Sequence, residues 1–441
     1  MGKKRYPAIA QGYGILVQPD GGNIFSYEEI NGVKRHHLIC KSLNIQACAI
    51  LSQCTGLKSL EEIVSTLEEL FEDAPLDLFS EVESFLDEAF QKKYIIYNNK
   101  PAETKGLIQG DINHYTPSQV LLEATHGCNL RCGHCLLPAG EPLPDELTSS
   151  QFIPILEQFY TMGVRRLHLS GGEILIKEGW EKMGDYCVDR FNFGVLTNGI
   201  SITRETADIL ARYQEIHISL YGKDAETHEK VTCVKGSFEC AVKGMTLLAE
   251  RGVFLGASLM MLPFNLHQLE DMIHLAISLK CKIARVGVVS PVGRASTGEW
   301  ELTEEQLAWL EKAMNKLKEK YKDEIDIQWD EEPGKEHRCG AGFTRWVVTS
   351  NGDVYPCAIF RVALGNVARK DPVDILNSPE VEFLQTLKSP HEVLCGDCQW
   401  LYVCKGCHAQ GFIHFLQVEH CKWADQFEEA PDSLKNALQQ M

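Results

Sequence analysis

The sequence has no long hydrophobic run and fewer basic than acidic residues. No stretch approaches the ~20 apolar residues that cross a bilayer, and the N-terminal segment lacks the apolar core of a secretory signal. Tyr6 occupies the position where an N-myristoylation motif has serine or threonine. Lysine and arginine number 43 against 61 acidic residues, and the net charge of −18 argues against broad binding to nucleic acid or to an anionic membrane. We therefore expect neither partner.

Cysteine, in contrast, is abundant, with 17 residues in a chain of 441. An odd count that includes Cys-x2-Cys pairs fits disulfide pairing poorly, and thiolates that hold metal clusters must stay reduced. The sequence therefore predicts a reducing, cytoplasmic location. Hydrophobic residues make up 44% and charged residues 24%, as in ordinary globular proteins, and the length allows two or three domains.

Three cysteines lie on one loop, Cys128-Asn-Leu-Arg-Cys132-Gly-His-Cys135, directly after a hydrophobic run at 120–124. Three thiolates leave one iron of a four-iron cubane without a protein ligand, and an open iron can bind a substrate or a cofactor. On this loop alone, a zinc knuckle or an incidental cysteine cluster is the alternative.

The spacing Cys-x3-Cys-x2-Cys after a first strand resembles the signature of the radical S-adenosylmethionine (SAM) enzymes. In that family the open iron chelates SAM, whose reductive cleavage releases a 5′-deoxyadenosyl radical that takes hydrogen from an unactivated C–H bond. The resemblance implies that Cys128, Cys132 and Cys135 hold a 4Fe–4S cluster. It also implies a reductant such as flavodoxin or ferredoxin.

Further motifs follow in the order that the family has. A strand ending at Ser170 leads into Gly171-Gly172-Glu173, which is similar to the turn that the family uses for the SAM amino group. Its glycines would let backbone come close to a ligand. By resemblance, Ser219 faces the ribose or the methionyl carboxylate of SAM, and Asn198 lies near the same pocket.

The sequence departs from the family at one position. The stretch His-x3-Arg-Gly often supplies an arginine for the SAM carboxylate, whereas this chain has His228-Glu-Lys-Val-Thr232. Lys235 is therefore the candidate cation, although lysine binds as a point charge and not as a bidentate fork.

Strand-like and helix-like segments alternate through the predicted radical SAM domain at 118–300. The six strand segments are 120–124, 166–170, 193–197, 215–220, 253–261 and 283–289. Such alternation predicts a parallel sheet with right-handed crossovers, and six units fall short of the eight of a TIM barrel. The predicted fold class is α/β, a partial (β/α)6 TIM-like barrel with the SAM residues at the carboxyl ends of its strands. An amphipathic helix at 303–322 is expected to dominate a bridging region at 301–335.

Residues 1–105 are predicted to form a separate N-terminal domain. Apolar stretches at 23–30 and 33–40 flank Asn31-Gly32, a hairpin signal, and helical patterns follow at 44–53, from the capping box Ser59-Leu-Glu-Glu62, and along Leu78, Val82, Phe85, Leu86 and Phe90. A strand at 94–97 closes the unit, and 98–117 is expected to be a linker.

This order of elements resembles the RiPP recognition element, a winged-helix domain similar to the pyrroloquinoline quinone chaperone PqqD. The resemblance implies that the domain binds the leader of a precursor peptide by β-augmentation. A structural or DNA-binding winged helix is the alternative, but acidic residues crowd the stretch from 61 to 88 and would repel a phosphate backbone.

Seven cysteines lie in the predicted third domain at 336–430. The stretch Gly352-Asp-Val-Tyr-Pro-Cys357 and the run Cys395-x2-Cys398-x5-Cys404-x2-Cys407 resemble a SPASM domain, which holds two auxiliary iron–sulfur clusters. A zinc ribbon is the alternative. The resemblance implies three 4Fe–4S clusters in all, with the auxiliary ligands divided into two sets. One set is Cys395, Cys398, Cys404 and Cys421, and the other is Cys339, Cys357 and Cys407.

The second auxiliary set is one thiolate short of four. A substrate cysteine could fill the place, and coordination would lower the pKa of its thiol. Water, another side chain or Cys281 are the alternatives. The seven remaining cysteines are predicted to be mostly buried small hydrophobes: Cys40, Cys48, Cys54, Cys187, Cys233, Cys240 and Cys281.

Together the three domains resemble the sactipeptide and ranthipeptide maturases, particularly the subtilosin-type sactisynthases, with Cys339-Gly-Ala-Gly and Cys421-Lys-Trp-Ala adding to the similarity. The implied activity is formation of thioether cross-links in a ribosomally synthesised precursor peptide, with no side chain required as a general base. A related enzyme that forms carbon–carbon cross-links, or a noncatalytic peptide-binding iron–sulfur protein, are the alternatives.

Overall fold

The computed structural model describes residues 4–30, 33–71, 75–297, 299–330 and 339–439. Backbone contacts divide the chain into two compact units. The first unit comprises Met1–Ser118, Glu157–Arg165 and Asp189–Asn192, and the second comprises Gln119–Leu156, Arg166–Val188 and Phe193–Met441. Among the helices in the described ranges, none combines the length and the apolar character needed to cross a bilayer.

The first unit contains a four-stranded sheet, a two-stranded sheet and three helices within its described residues. In chain order these are β1 (Tyr6–Ile9), β2 (Tyr13–Gln18), β3 (Gly21–Ile30), β4 (Val33–Leu43), α1 (Ile45–Ser52), α2 (Leu60–Leu70), α3 (Leu78–Gln91), β5 (Ile95–Asn98) and β6 (Leu107–Gly110). The larger sheet has the order β4-β3-β2-β6, with β6 parallel to β2, and β1 pairs with β5. In this sheet β4 is an edge strand.

The predicted hairpin and helices of this unit form. β3 and β4 pair antiparallel from Ile30 opposite Val33, and the predicted turn at Asn31 and Gly32 lies outside the described residues. The capping box of α2 is complete, because the Ser59 hydroxyl accepts from the Glu62 backbone N–H while the Glu62 carboxylate accepts from the Ser59 N–H at 2.7 Å.

The buried face of α3 differs at one residue from the predicted face. Val82 and Leu86 are fully buried, whereas Phe90 is 48% exposed. The Phe90 ring instead lies 5.3 Å from the ring of Tyr97, at the end of β5. Helical spacing predicts the direction of a side chain but not where the neighbouring core ends.

Strand β6 lies inside the stretch that the sequence predicts to be a linker. The Tyr27 hydroxyl donates to the Lys105 carbonyl at 2.8 Å, just before this strand. The four residues Leu107–Gly110 are too short a pattern for a strand to be recognised from the sequence. The strand forms because its backbone can hydrogen-bond to the edge of β2.

The second unit is built on a ten-stranded sheet of order β13-β12-β11-β10-β9-β8-β7-β14-β15-β16. Its first part runs β7 (Gln119–Glu123), α4 (Ser149–Met162), β8 (Arg166–Ser170), α5 (Trp180–Val188), β9 (Asn192–Thr197), α6 (Arg204–Leu210), β10 (Glu215–Leu220), α7 (Ala225–Thr232), α8 (Ser237–Ala249), β11 (Leu255–Met261), α9 (Leu269–Ser278) and β12 (Ile283–Val288). Each of β7 to β12 pairs parallel with its neighbours. This confirms the predicted partial (β/α)6 barrel.

Elements after β12 extend the same sheet at both ends. They are α10 (Glu304–Lys320), β13 (Asp326–Trp329), β14 (Arg345–Val348), β15 (Asp353–Tyr355), β16 (Gly365–Asn366), α11 (Pro372–Leu376), α12 (Pro379–Thr386), α13 (Glu392–Cys395), α14 (Leu401–Cys404), α15 (His408–His414) and α16 (Asp432–Gln439). β13 pairs with β12, and β14 pairs parallel with β7, so the cysteine-rich region begins within the barrel sheet.

Burial explains why the barrel strands read as hydrophobic runs. In β10 every residue except Ser219 is buried, as in a parallel sheet covered on both faces. The predicted core face of α4 is also buried through Phe152, Ile155, Leu156 and Phe159. Because the strands are parallel, their carboxyl ends meet at one edge, where the cysteine loop, the Gly-Gly-Glu turn, Asn198 and Ser219 follow.

Candidate functional site: the cysteine loop and its surroundings

The three-cysteine loop is closed at its base by backbone hydrogen bonds. The N–H of Cys128 donates to the carbonyl of Gly140 at 2.8 Å, and the N–H of Gly140 donates to the carbonyl of His126 at 3.0 Å. The two ends of the loop 128–139 are therefore held together just after β7. This closure fixes the loop relative to the end of the strand.

Two other segments hold the middle of the loop. At the end of α7, the carbonyls of Thr232 and Val231 accept from the N–H groups of Arg131 and Gly133, at 3.1 and 2.9 Å. After β12, the guanidinium of Arg294 donates through Nε to the Cys132 carbonyl at 2.7 Å.

Arg294 makes two further bonds to the same loop. It donates through Nη1 to the Ala139 carbonyl at 3.0 Å, and its backbone N–H donates to the carbonyl of Cys135 at 2.9 Å. The sequence singles out no role for this arginine, because nothing local to residue 294 indicates its distant partners.

The thiols of the loop lie near enough to affect one another's ionisation. Cys132 is buried, and Cys128 and Cys135 are half-buried. Burial, together with the charge of Cys135, raises the pKa of the Cys128 thiol and raises that of Cys132 to about 12. Metal ligands must be deprotonated, so these thiols need a nearby positive charge to ionise. Such a donor set fits a cationic cluster.

A single metal ion fits the described residues less well. Within the described ranges, no three His, Cys, Asp or Glu side chains converge as the ligands of one ion would. A cubane takes one thiolate at each iron, so its cysteines need to surround it and not to meet at a point.

The Gly-Gly-Glu turn packs against the backbone that leads into the loop. A Cβ at Gly171 (φ +131°) would lie 2.3 Å from the Thr125 carbonyl oxygen, and one at Gly172 would lie 2.2 Å from that of Gly127. The N–H of Gly172 also donates to Thr125 at 2.7 Å. The two glycines were expected to let the backbone approach a ligand. In the structure they let the turn approach the backbone of Thr125 and Gly127.

Replacing Gly171 by alanine is therefore expected to lower the free energy of unfolding by about 2–4 kcal/mol, since the new methyl group meets backbone and the positive φ is strained. Gly252→Ala is the matched control, because Gly252 also has a positive φ (+71°) but no neighbouring atom within 4 Å. Urea unfolding midpoints measure the difference. Equal losses in the two variants would show that contact with Thr125 is not the constraint.

The carboxylate of Glu173 joins the ends of two strands. It is 1% exposed and accepts from the Thr197 hydroxyl and from the Asn198 N–H, both at 2.7 Å, and from the Leu175 N–H at 3.0 Å. Burial raises the pKa of this carboxyl group, while its three donors act in the opposite direction. The negative charge of Glu173 is thus stabilised by three hydrogen-bond donors of the protein.

Asn198 reaches the cysteine loop through its side chain. Its Nδ2 donates to the Oδ1 of Asn129 at 2.7 Å, and Asn129 in turn donates to the Ser201 hydroxyl at 2.9 Å. Asn129 directly follows Cys128. The structure therefore brings Asn198 and the loop together, as predicted, and adds Asn129, which sequence reasoning did not single out.

Ser219, at the carboxyl end of β10, is linked to the loop by Tyr221. Burial raises the pKa of the Tyr221 phenol well above its usual value, the charges of Cys132, Cys135 and Cys128 raise it further, and a hydrogen bond with Ser219 lowers it. The ring of Tyr221 lies 4.8 Å from that of His134, between the second and third cysteines. Sequence reasoning missed Tyr221, although it stands two residues after Ser219.

Lys235 is not joined to these residues. It is exposed, and the structure gives it no hydrogen bond or ion pair with the site residues described above. Thr232, which stands where the family often has arginine, is fully buried and its hydroxyl lies 2.8 Å from that of Ser237. Thr232 thus serves the packing between α7 and α8.

Five cysteines of the C-terminal region share one neighbourhood. Burial raises the pKa of the Cys404 thiol, and the charges of Cys398, Cys407, Cys421 and Cys395 raise it further. Two of these thiols stand at the ends of short helices, Cys395 ending α13 and Cys404 ending α14. The structure thus brings together the set Cys395, Cys398, Cys404 and Cys421.

The segments that carry Cys339 and Cys357 are hydrogen-bonded. Gly342, three residues after Cys339, donates to the carbonyl of Pro356 at 3.2 Å, next to Cys357. Cys339 also lines a cavity of about 300 Å³ with His408, which directly follows Cys407. The three members of the second set therefore lie on adjoining segments.

An ion pair anchors the segment after Cys357 to the barrel. Arg361 donates from Nη1 and Nη2 to the two oxygens of Glu123 at 2.7 and 2.5 Å. Glu123 ends β7 and is 5% exposed. A bidentate pair of this kind fixes orientation as well as distance.

The cysteines outside these sets divide into two groups. Cys48, Cys54, Cys187 and Cys281 are buried, as predicted, but Cys40, Cys233 and Cys240 are exposed, so the prediction is wrong for these three. Cys281 lies two residues before the start of β12, at the amino ends of the strands. The cysteine loop follows the opposite ends.

Three family models match the chain. The Radical SAM superfamily matches residues 122–276, the SPASM iron–sulfur cluster-binding domain matches 339–399, and the coenzyme PQQ synthesis protein D (PqqD) matches 35–95. The radical SAM match contains the three-cysteine loop. The SPASM match ends before Cys404, Cys407 and Cys421.

The chain is similar over nearly its full length to curated and solved proteins. It is 25% identical to the antilisterial bacteriocin subtilosin biosynthesis protein AlbA of Bacillus subtilis, over 97% of this chain and 98% of that protein. It is 26% identical to the sporulation killing factor maturation protein SkfB of the same organism, over 61% of this chain and 67% of that protein.

The fold is shared with Streptococcus suis SuiB bound to its precursor peptide SuiA, at a TM-score of 0.65 and 15% identity, over 94% of this chain and 97% of that one. With these matches and the observed barrel, the chain is a radical SAM protein that carries a PqqD domain before the barrel and a SPASM domain after it.

Proposed function

We propose that this protein forms thioether cross-links, from a cysteine sulfur to carbon, in a ribosomally synthesised precursor peptide. The observation that carries the proposal is the joint presence of the closed three-cysteine loop and a thiol set one member short, in a chain similar along its length to AlbA. The first feature supports radical chemistry. The second supports the handling of a thiol.

Cys128, Cys132 and Cys135 would hold the cluster that binds SAM, and a reductant such as flavodoxin or ferredoxin would supply its electron. Bound SAM would supply the carbon radical that removes hydrogen from the peptide. The residues of the chain position this chemistry, since Arg294 and the end of α7 hold the loop. No side chain is assigned as a general base.

The pocket for SAM would lie along the strand ends that carry Gly171, Gly172, Asn198 and Ser219. The carboxylate of Glu173 is occupied by its own chain, which favours the exposed backbone of the turn as the partner of the SAM amino group. Lys235, whose side chain is exposed, stays the candidate cation for the SAM carboxylate.

Cys395, Cys398, Cys404 and Cys421 would hold one auxiliary cluster, and Cys339, Cys357 and Cys407 the other. The mutual charge effects among Cys395, Cys398, Cys404 and Cys421 support the first set, and Cys407, which also acts on Cys404, would lie next to it. A substrate thiolate would bind at the second cluster, where coordination keeps sulfur deprotonated at neutral pH. The thiolate sulfur would then bond to the carbon from which hydrogen was removed, and a cluster would accept the surplus electron.

The leader of the precursor would bind at the edge of β4. This strand has a free edge in its sheet, and the hydrogen bond from Lys92 and the charge of Lys41, on β4, lower the pKa of Glu88 on α3. This charge effect supports a binding surface between the strand and the helix, where a peptide would add as a further strand. Because the thiolates that hold metal clusters must stay reduced, a reducing cytoplasm would suit the enzyme.

Coexpression with the precursor peptide tests the proposal. Each thioether removes two hydrogen atoms, so mass spectrometry should show that loss per cross-link, with tandem spectra that join a cysteine to its acceptor residue. A precursor with its cysteines changed to serine should stay unmodified. A cross-link that survives this change would indicate carbon–carbon chemistry and would reject the proposal.

A further inference from the structure

The cavity beside Cys339 carries an imidazole that none of the predicted sites includes. The cavity has a volume of about 300 Å³, and Cys339, His391 and His408 lie on its wall. A water molecule takes up about 30 Å³ in the liquid, so the space admits a much larger group. It lies among the segments that carry the thiol set with three members.

His408 stands next to a member of that set. Cys407 is the N-cap of α15, and His408 is the first residue of this helix. His408 is 1% exposed, so its ring is enclosed by the fold. Its ring lies 6.4 Å from that of Trp423, at a tilt of 31°, so the two rings do not stack face to face.

We infer that His408 is the fourth protein ligand of the auxiliary cluster held by Cys339, Cys357 and Cys407. The inference rests on the proposed division of the cysteines into two sets. Imidazole is an established substitute for thiolate on iron–sulfur clusters. The backbone at 407 and 408 places a thiol and an imidazole on consecutive residues, and Cys339 shares the cavity with that imidazole.

The other candidates fit less well. His391 also lines the cavity but is only half-buried, and its carbonyl accepts from the N–H of Cys395 at 2.8 Å, which places it with the other thiol set. Cys281 lies before β12, at the amino ends of the strands. Of the three, only His408 adjoins a cysteine of the incomplete set.

A neutral imidazole has two consequences for this cluster. It leaves the cluster one negative charge less than four thiolates would, which raises its reduction potential. Replacement of this neutral donor by an anionic thiolate would give the cluster the charge that four thiolates impose. His408 would thus hold the iron until the precursor arrives, and the incoming cysteine sulfur would take its place.

Pulsed electron paramagnetic resonance tests the inference. The probe is full-length protein with Cys128, Cys132 and Cys135 changed to alanine, reduced in the absence of SAM, so that only auxiliary clusters contribute. We expect a strong nitrogen coupling that changes on ¹⁵N-histidine labelling and disappears in His408→Ala. Absence of such a coupling in protein with intact His408 overturns the inference, whatever the fate of the variant.

His391→Ala is the matched control, since it removes the other imidazole from the same cavity, and its coupling should remain. Loss of the coupling in His391→Ala alone would assign the ligand to His391 and overturn the inference. His408→Cys should restore a fully thiolate-ligated cluster with a lower reduction potential, and an unchanged potential contradicts the assignment. These spectra need no substrate, so failure of thioether formation in the coexpression experiment bears on the proposed function alone.

Discussion

Cys128→Ala is expected to reduce the formation of 5′-deoxyadenosine from SAM to background. Two thiolates cannot retain a site-differentiated cubane, and no other described thiol lies on this loop. The backbone bond from residue 128 to Gly140 does not depend on the side chain, so the loop should keep its closure. Chromatography of the nucleoside product, together with iron content, measures the effect.

Cys240→Ala is the control for this variant. Cys240 is an exposed cysteine on α8, outside the loop and outside both C-terminal sets. Its replacement should leave SAM cleavage unchanged. If the Cys128 variant cleaved SAM as fast as this control, the assignment of the loop to the cluster would be wrong, and with it the proposed radical chemistry.

Arg361→Ala is expected to lower the free energy of unfolding by about 3–5 kcal/mol, because it leaves the carboxylate of Glu123 buried without a partner. The carboxylate is 5% exposed and now receives two hydrogen bonds from the guanidinium. The Arg361 guanidinium also packs over the ring of Tyr355, at 5.4 Å from its centroid. Urea unfolding of anaerobically purified protein measures the loss.

Arg212→Ala supplies the comparison within the same unit. Arg212 pairs with Asp185 at 2.5 Å, but both side chains are about half exposed, at 52% and 50%. Exposed pairs contribute about 0–1 kcal/mol. Adding Glu123→Gln to Arg361→Ala should recover part of the loss, since an amide is less costly to bury than a charge. A small loss for Arg361→Ala, similar to that of Arg212→Ala, would contradict the anchoring role.

The barrel strands were predictable because each is a buried apolar run bounded by polar or glycine residues. β8 and β10 have the predicted bounds, and the other four differ by one or two residues at an end. Three strands of the first unit were missed: β2 pairs with its sequence neighbour β3, whereas β1 and β6 depend on distant partners. β1 pairs with β5 across the whole helical segment, and β6 needs the edge of β2. A local pattern carries no information on such pairing.

In the site too, local patterns were predictable from the sequence and contacts with distant residues were not. Cysteine spacing, Asn198 and Ser219 are local signals, and the structure brings these residues to one edge of the sheet. Arg294, Asn129 and Tyr221 escaped notice because their roles arise from contacts between separate strand ends. Lys235 stays a prediction that rests on its position in the sequence, and its side chain is exposed.

Because β14 pairs with β7, the C-terminal domain and the barrel share one sheet. β14 supplies the hydrogen-bonding partner along one side of β7, from Arg345 opposite Gln119 to Val348 opposite Leu122. A shortened chain ending before β14 would leave a bare apolar strand ready to template aggregation. The C-terminal domain thus acts as a protective cover for the first barrel strand, and a barrel of this design is not separable from it.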